Sequence, residues 1–293
     1  MYARQGARPL ETTRRRWLGA AAGAAVALTA GCSRPPRRVA EGVSYGASRA
    51  QHYDVYAPAD GAGHRGLAPL VVLIHGGGWV EGSPADVVST VPHFTGRGYV
   101  VANTGYRLAP EAPAPVAAED VRHAIAAIVG RAREWGADPA RLVLAGYSAG
   151  AHLALVAALT PAGGAVGGPQ AKPRAVVDFW GITDPDDAQG GERLRSIARR
   201  WLPADAPGGR PALVAALTPL VQDLSRAPAL CALHSIHDDI VPFAHSERLV
   251  EAYRRAGRPA QLMRLTHPGH APARSAYSSL FAEVGGFLTA VGA

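Results

Sequence analysis

Gly146-Tyr147-Ser148-Ala149-Gly150 follows an apolar run at residues 142–145 and precedes a helix-like run at residues 152–159. A serine hydroxyl is a poor nucleophile at its free pKa, so a chain that uses one exposes it on a tight strand-to-helix turn beside a base. Glycines two before and two after the serine let the backbone make that turn without Cβ clashes. The pattern arises by chance in roughly one chain in six of this composition, so its surroundings must decide. His75-Gly76-Gly77-Gly78-Trp79, directly after the apolar run at residues 70–74, is about ten times rarer by the same reckoning. Three glycines after a buried strand leave backbone N–H groups uncovered, and these can point at the oxyanion that develops when a serine attacks an acyl carbon.

A serine of this kind needs an acid after a later strand and a histidine in a loop near the C-terminus. Residues 229–234 are followed by Ser235-Ile236-His237-Asp238-Asp239-Ile240-Val241-Pro242, which offers two adjacent carboxylates. Residues 262–265 are followed by Thr266-His267-Pro268-Gly269-His270, which offers two imidazoles. One aspartate must hold one histidine so that its free nitrogen faces Ser148 and takes the hydroxyl proton. Residue types alone leave both choices open.

The elements that must position these groups are legible as apolar runs at residues 53–56, 70–74, 99–102, 142–145, 175–179, 229–234 and 262–265, separated by helical patterns. Strands alternating with helices predict an α/β fold, a mostly parallel central sheet with helices on both faces. The clearest helix spans residues 116–133, Ala-rich on one side and charged on the other. Residues 182–227 are too long for a simple crossover and are read as a small helical cap over the site, an ordinary helical excursion being the alternative. Residues 163–168 read as a low-complexity loop.

With 293 residues, 48% of them hydrophobic, the chain can bury a large core. Its formal charge of +7 is unevenly placed: in residues 1–31, five arginines against Glu11 contribute +4, leaving +3 for the rest. No basic and aromatic residues interleave as a nucleic-acid face requires, so nucleic acid is not expected as a partner. The basic start, ending in Arg14-Arg15-Arg16-Trp17-Leu18, precedes an uncharged stretch at residues 17–31 and then Cys32. That stretch is short for a membrane span, so residues 1–31 are read as a signal peptide resembling a twin-arginine export signal. Leu28-Thr29-Ala30-Gly31-Cys32 resembles a bacterial lipobox, which makes Cys32 the expected lipid attachment and residues 32–38 a tether to a domain at residues 39–293. Cys231, the other cysteine, is read as a buried thiol, and no Cys/His spacing suggests a metal.

From about residue 50 onward the chain resembles the α/β-hydrolase superfamily, especially the hormone-sensitive-lipase-like bacterial esterases and the formamidase-like, BD-FAE-type carboxylesterases. His75 to Trp79 is similar to their oxyanion motif, Tyr106-Arg107-Leu108-Ala109-Pro110-Glu111 to their Y-R-L-A-P-E segment, and Asp138-Pro139 with Arg141 to their approach to the nucleophile. The resemblance implies Asp238 rather than Asp239, from the D-x-x-V-P pattern, and His270 rather than His267, from Gly269-His270. It further implies that backbone N–H groups of Gly77, Gly78 and Ala149 bind the oxyanion, that the substrate is a small-molecule ester with no cofactor or metal, and that any membrane contact is through the N-terminal lipid alone. Tyr147 and Ala151-His152 depart from the lipase-like branch and look like the formamidase-like one, which keeps an amide hydrolase as the alternative to a carboxylesterase. A catalytically inactive surface binding module is the rival of another class. The remaining polar residues are given structural roles: His152 packs or caps, Arg107 and Asp120 stabilise the fold, and His75 orders the oxyanion loop. His234 and His237 merely flank the acid. Trp79 and Trp180 either line the pocket or pack in the core.

Overall fold

Residues 35–60, 66–159 and 172–293 are described in a computed structural model of the chain. Eight strands form one sheet: β1 (Arg37–Ser44), β2 (His52–Ala57), β3 (Ala68–Ile74), β4 (Val100–Thr104), β5 (Ala137–Tyr147), β6 (Ala175–Phe179), β7 (Ala229–His237) and β8 (Ala260–Pro268). Their order is β1-β2-β4-β3-β5-β6-β7-β8, antiparallel at the β1/β2 and β2/β4 pairs and parallel from β4 onward. Seven of these strands coincide with the seven apolar runs of the sequence.

The pleat divides the core. Leu70, Val72 and Ile74 of β3 join one buried cluster and Val71 and Leu73 the other, as alternation on a strand covered on both faces requires. The seven helices among the described residues are α1 (Val91–Thr95), α2 (Val116–Arg131), α3 (Ala149–Leu159), α4 (Gly191–Trp201), α5 (Arg210–Ala216), α6 (Ala244–Arg255) and α7 (Tyr277–Ala290). Helices α2, α3 and α6 supply residues to the first cluster, α1 and α7 to the second. Every residue of α3 is buried or nearly so, because it lies between the sheet and α2.

Residues 182–227 fold as α4, α5 and a short 3-10 turn at Pro219–Val221. Helix α4 is amphipathic: Leu194, Ala198 and Trp201, at i, i+4 and i+7, are buried, whereas its arginines stay largely outside. The segment is stitched to the domain at its stem, where the backbone N–H of Thr183 donates to His245 Nδ1 at 3.1 Å and Arg248 pairs with Asp187.

One boundary read from the sequence is corrected. Arg37 and Arg38, assigned to the tether at residues 32–38, open β1, facing Ala57 and Tyr56 in an antiparallel ladder. This edge strand is mostly exposed, so nothing selects the alternating apolar pattern that betrays a strand. The signal peptide at residues 1–31, Cys32 and the loop at residues 163–168 lie outside the described residues. Among the described residues no helix is long and apolar enough to cross a membrane.

Arg107 and Asp120 join the Tyr106 to Glu111 segment to α2. The fully buried Asp120 carboxylate accepts from Arg107 Nε at 2.8 Å, Arg107 Nη2 at 2.7 Å, the Arg107 backbone N–H at 3.0 Å and Gln51 Nε2 at 2.8 Å. Removing one partner of such a pair strands the others in a dry site. Asp120→Ala is therefore expected to lower the unfolding free energy by about 3–5 kcal/mol, read as a shift of the urea midpoint; an unchanged midpoint would show that the pair is dispensable.

Candidate active site

Parallel pairing brings the site together before any side chain contributes. Ile74 stands opposite Gly146 in the β3/β5 ladder and Tyr147 opposite Phe179 in the β5/β6 ladder, so the glycine-rich loop and the serine turn leave neighbouring strand ends. His237 stands opposite Pro268, which places the acid and histidine loops side by side farther along the same edge. Ligand sites of open α/β sheets form at this carboxyl edge.

Ser148 has φ 53°, in the left-handed region that costs a non-glycine residue on the order of 1–2 kcal/mol. Surrounding contacts hold it there. Its N–H donates to the Phe179 carbonyl at 2.8 Å, and its own carbonyl accepts from His152 N at 3.0 Å. Gly150 is required by proximity, since a Cβ there would collide with the carbonyls of Ile74 and His75. The serine turn and the oxyanion loop thus touch backbone to backbone.

The structure brings together Ser148, Asp238 and His270 and leaves Asp239 and His267 apart. His270 Nε2 lies 2.9 Å from Ser148 Oγ, and its Nδ1 lies 2.6 Å from Asp238 Oδ2. Nδ1 faces a carboxylate and so carries the proton, which leaves the Nε2 lone pair for the serine hydroxyl. The Asp238 side chain is buried, whereas that of Asp239 is half exposed and pairs with Arg193 of α4. His267 turns its Nδ1 to the Pro268 carbonyl at 3.2 Å. Burial alone would raise the Asp238 pKa, but hydrogen bonds from His234 and His270, the charge of His270 and the Ile240 N–H overcome it and hold the carboxyl well below its usual range.

The N–H groups of Gly77, Gly78 and Ala149 make no hydrogen bond among the described residues, and Ala149 opens α3, whose first-turn amides have no helical acceptor. They are available to a developing oxyanion. Tyr106 braces this loop by donating its hydroxyl to the His75 carbonyl at 3.1 Å and stacking on the His75 ring at 4.3 Å. His75 Nδ1 donates to the Gly76 carbonyl at 2.8 Å, and Ala109 N to the Trp79 carbonyl at 2.9 Å.

Trp79 and Trp180 pack in different clusters of the core. Both are buried: Trp79 stacks on Trp201 of α4 at 4.3 Å, and Trp180, packed in the other cluster beside Tyr147 and Phe179, also stands edge-on to His270 at 6.2 Å. His152 lies at the same junction as Trp79: its Nδ1 accepts from Trp79 Nε1 at 3.2 Å, which places the proton on Nε2, and Nε2 donates to the Leu217 carbonyl at 2.6 Å. Ile197 of α4 fills the space that a Cβ on Gly78 would need. Helix α4 accordingly bridges the oxyanion loop, through Trp201 and Ile197, and the acid loop, through Arg193.

Two of these features escape a reading of residue types. Arg193–Asp239 joins residues 46 apart with no motif to announce it. His234, read as a flanking residue, is fully buried with its Nε2 3.1 Å from Asp238 Oδ2. The spacing of four between them was the available signal, but in a strand and its loop that spacing has no fixed geometry.

Burial lowers the pKa of His75, His152 and His245 from 6.5 to about 4 each, against small opposing contributions from a backbone carbonyl at His75 and His152, and with the Arg248 charge adding to the drop at His245. Between those values the unfolded chain binds protons that the folded chain refuses, so stability is lost as pH falls from 6.5 toward 4. The loss is expected to be about 1 kcal/mol per pH unit for each histidine. The Asp238 contribution has the other window: its depressed pKa stabilises the fold above the unfolded carboxylate value and is lost only below about pH 4. Urea midpoints at pH 7, 6 and 5 test this, and His152→Gln is expected to flatten the slope.

Comparison with known proteins follows the same lines. The BD-FAE family model matches residues 53–253. The Mycobacterium tuberculosis proteins named probable carboxylic ester hydrolase LipM and esterase LipQ are each 28% identical to this chain, over 82% and 65% of it respectively. The chain spans 59% of LipM and 47% of LipQ. Among solved structures, esterase 2 of Thermogutta terrifontis superposes with a TM-score of 0.75 at 24% identity, covering 87% of this chain and 95% of that one. A truncated carbohydrate esterase from gut microbiota gives 0.73 at 20% identity, covering 88% and 96%. These likenesses establish the fold, and the family match covers more than half of the sequence: the chain belongs to the BD-FAE family and has the α/β-hydrolase fold.

Proposed function

We propose that the protein is a serine hydrolase that cleaves carboxylic esters of short to medium acyl length through an acyl-enzyme on Ser148. The observation that carries this reading is the line Ser148 Oγ, His270, Asp238, with separations of 2.9 and 2.6 Å, ending beside the unengaged amides of Gly77, Gly78 and Ala149. The names of the mycobacterial relatives support ester chemistry. Short acyl groups are supported by the Thermogutta esterase, whose structures include propionate-bound and butyrate-bound forms.

His270 Nε2 takes the Ser148 proton as Oγ attacks the ester carbon. The carbonyl oxygen becomes an oxyanion among the three amides, each such donor being typically worth ~3 kcal/mol. Collapse expels the alcohol, which receives the proton from His270. Water, deprotonated in turn by His270, then releases the acid and restores Ser148. Asp238 holds the Nδ1–H tautomer and balances the imidazolium charge. Ser148→Ala is expected to lower kcat for a chromogenic acetyl or butyryl ester at least ~10⁴-fold; full turnover by that variant would sink the mechanism. An N-formyl arylamine is the comparison substrate, and faster turnover there would move the reading from ester to amide.

Export and lipidation complete the proposal. The paired arginines and the Leu28 to Cys32 sequence support passage across the cytoplasmic membrane and anchoring through acylated Cys32. Expressed in a bacterium with lipoprotein processing, the Cys32→Ser variant is expected to move from the membrane fraction to the soluble exported fraction, and an unchanged distribution would remove the lipid anchor.

A further inference from the structure

Asp238 accepts four hydrogen bonds, two on each oxygen. The backbone N–H groups of Ile240 and Val241 reach Oδ1 at 2.9 Å each. On Oδ2, His270 Nδ1 at 2.6 Å is joined by a second imidazole nitrogen, His234 Nε2 at 3.1 Å. His234 Nε2 faces two acceptors, Asp238 Oδ2 and the Val241 carbonyl at 2.9 Å, so it is a donor. On the far side of the ring Nδ1 meets Ser246 Oγ of α6 at 2.7 Å, and the hydroxyl donates to it. His234 is fully buried on β7, with Phe243 standing edge-on at 5.8 Å. Its ring is thus held on both nitrogens, and its single Nε2–H is shared between the Val241 carbonyl and the carboxylate oxygen that also meets His270.

We infer that His234 is a positioning residue: through Nε2–H it fixes the Asp238 carboxylate and draws charge from Oδ2, which sets how strongly Asp238 holds the proton of His270. The inference rests on the proposed roles of Ser148, His270 and Asp238. Two consequences follow from the hydrogen-bond pattern. Without His234, the carboxylate loses one of its two restraints on Oδ2 and can turn about its side-chain torsion, so the His270 ring is aligned less often. Its negative charge also concentrates on the bond to His270 Nδ1, which favours the imidazolium and makes His270 a base only at higher pH.

Other charged and titratable groups share this field: Asp178 on β6, His245 on α6, and Arg264 on β8, whose guanidinium lies over the Phe243 ring. Asp178 is the chief competitor because burial pushes it up to about 6, within the range where an acid limb would be read.

The experiment measures kcat, KM and the acid limb of kcat/KM against pH with a chromogenic acetyl ester in the parent, His234→Leu and His234→Gln. His234→Leu is expected to lower kcat roughly 10–100-fold with KM within about twofold, and to move the acid limb to higher pH. His234→Gln, which retains an N–H donor of similar reach, is expected to recover most of kcat and the parental limb. The inference is overturned if the acid limb of His234→Leu stays in place or moves down, or if glutamine rescues neither quantity. Asp178→Asn is the control background: the shift persists there if it arises at Asp238, and its disappearance would assign it to Asp178 instead. Should His234→Leu fail to fold, Ser246→Ala removes the donor to Nδ1, weakens Nε2–H and is expected to move the limb upward by a smaller amount; a parental limb in that variant overturns the inference. Loss of the underlying site reading has a separate signature, full turnover by Ser148→Ala.

Discussion

The site depends on a contact that has no side chain in it. The first turn of α3 lies against the carbonyls that end β3, at a separation that admits a hydrogen at Gly150 and nothing larger. That approach decides where Ala149 N and the amides of Gly77 and Gly78 stand relative to one another, because each belongs to one of the two backbones in contact. It also gives the strained Ser148 conformation its support, since the turn is held at both ends by the sheet and by α3. In the proposed mechanism, donors that are main-chain atoms need no reorganisation when charge appears, which is the condition for them to act strongly.

Around this contact, several of the buried polar groups are imidazoles. His75, His152 and His245 are each buried and titrate near 4 because desolvation outweighs their partners. As neutral rings, each can offer one donor and one acceptor at fixed positions. His152 uses both, accepting from Trp79 and donating to Leu217, so a core helix, the oxyanion loop and the segment at residues 182–227 meet at one ring. A charged side chain could not sit there without a counter-ion, and an apolar one would leave the Trp79 N–H and the Leu217 carbonyl unsatisfied.

The strands that bury both faces and the loops that carry the candidate groups were legible in the sequence because each obeys a simple rule: continuous apolar runs, glycines at close approaches, and the chain order serine, acid, histidine. Choosing Asp238 over Asp239 and His270 over His267 needed the family resemblance, since neighbours in a loop differ only in which way they point. β1 was hidden because its exposed residues are under no demand to alternate. The part of His234 was hidden for another reason: Val241, Ser246 and Asp238 come to it from a loop and a helix, and no spacing rule connects them.

Helix α4 belongs to an excursion between two strands, yet it rests on Gly78 and Trp79 at one end of its contacts and on Asp239 at the other. Its two attachments differ in kind. The aromatic stack is dry and insensitive to salt, whereas the Arg193–Asp239 pair is half exposed and weakens as ionic strength rises. Exchanging this excursion for a relative's would therefore disturb both attachments at once. The grafted segment would bring its own spacing between the loop at Gly78 and the loop at Asp239, so its length and its two anchor points would have to be exchanged together.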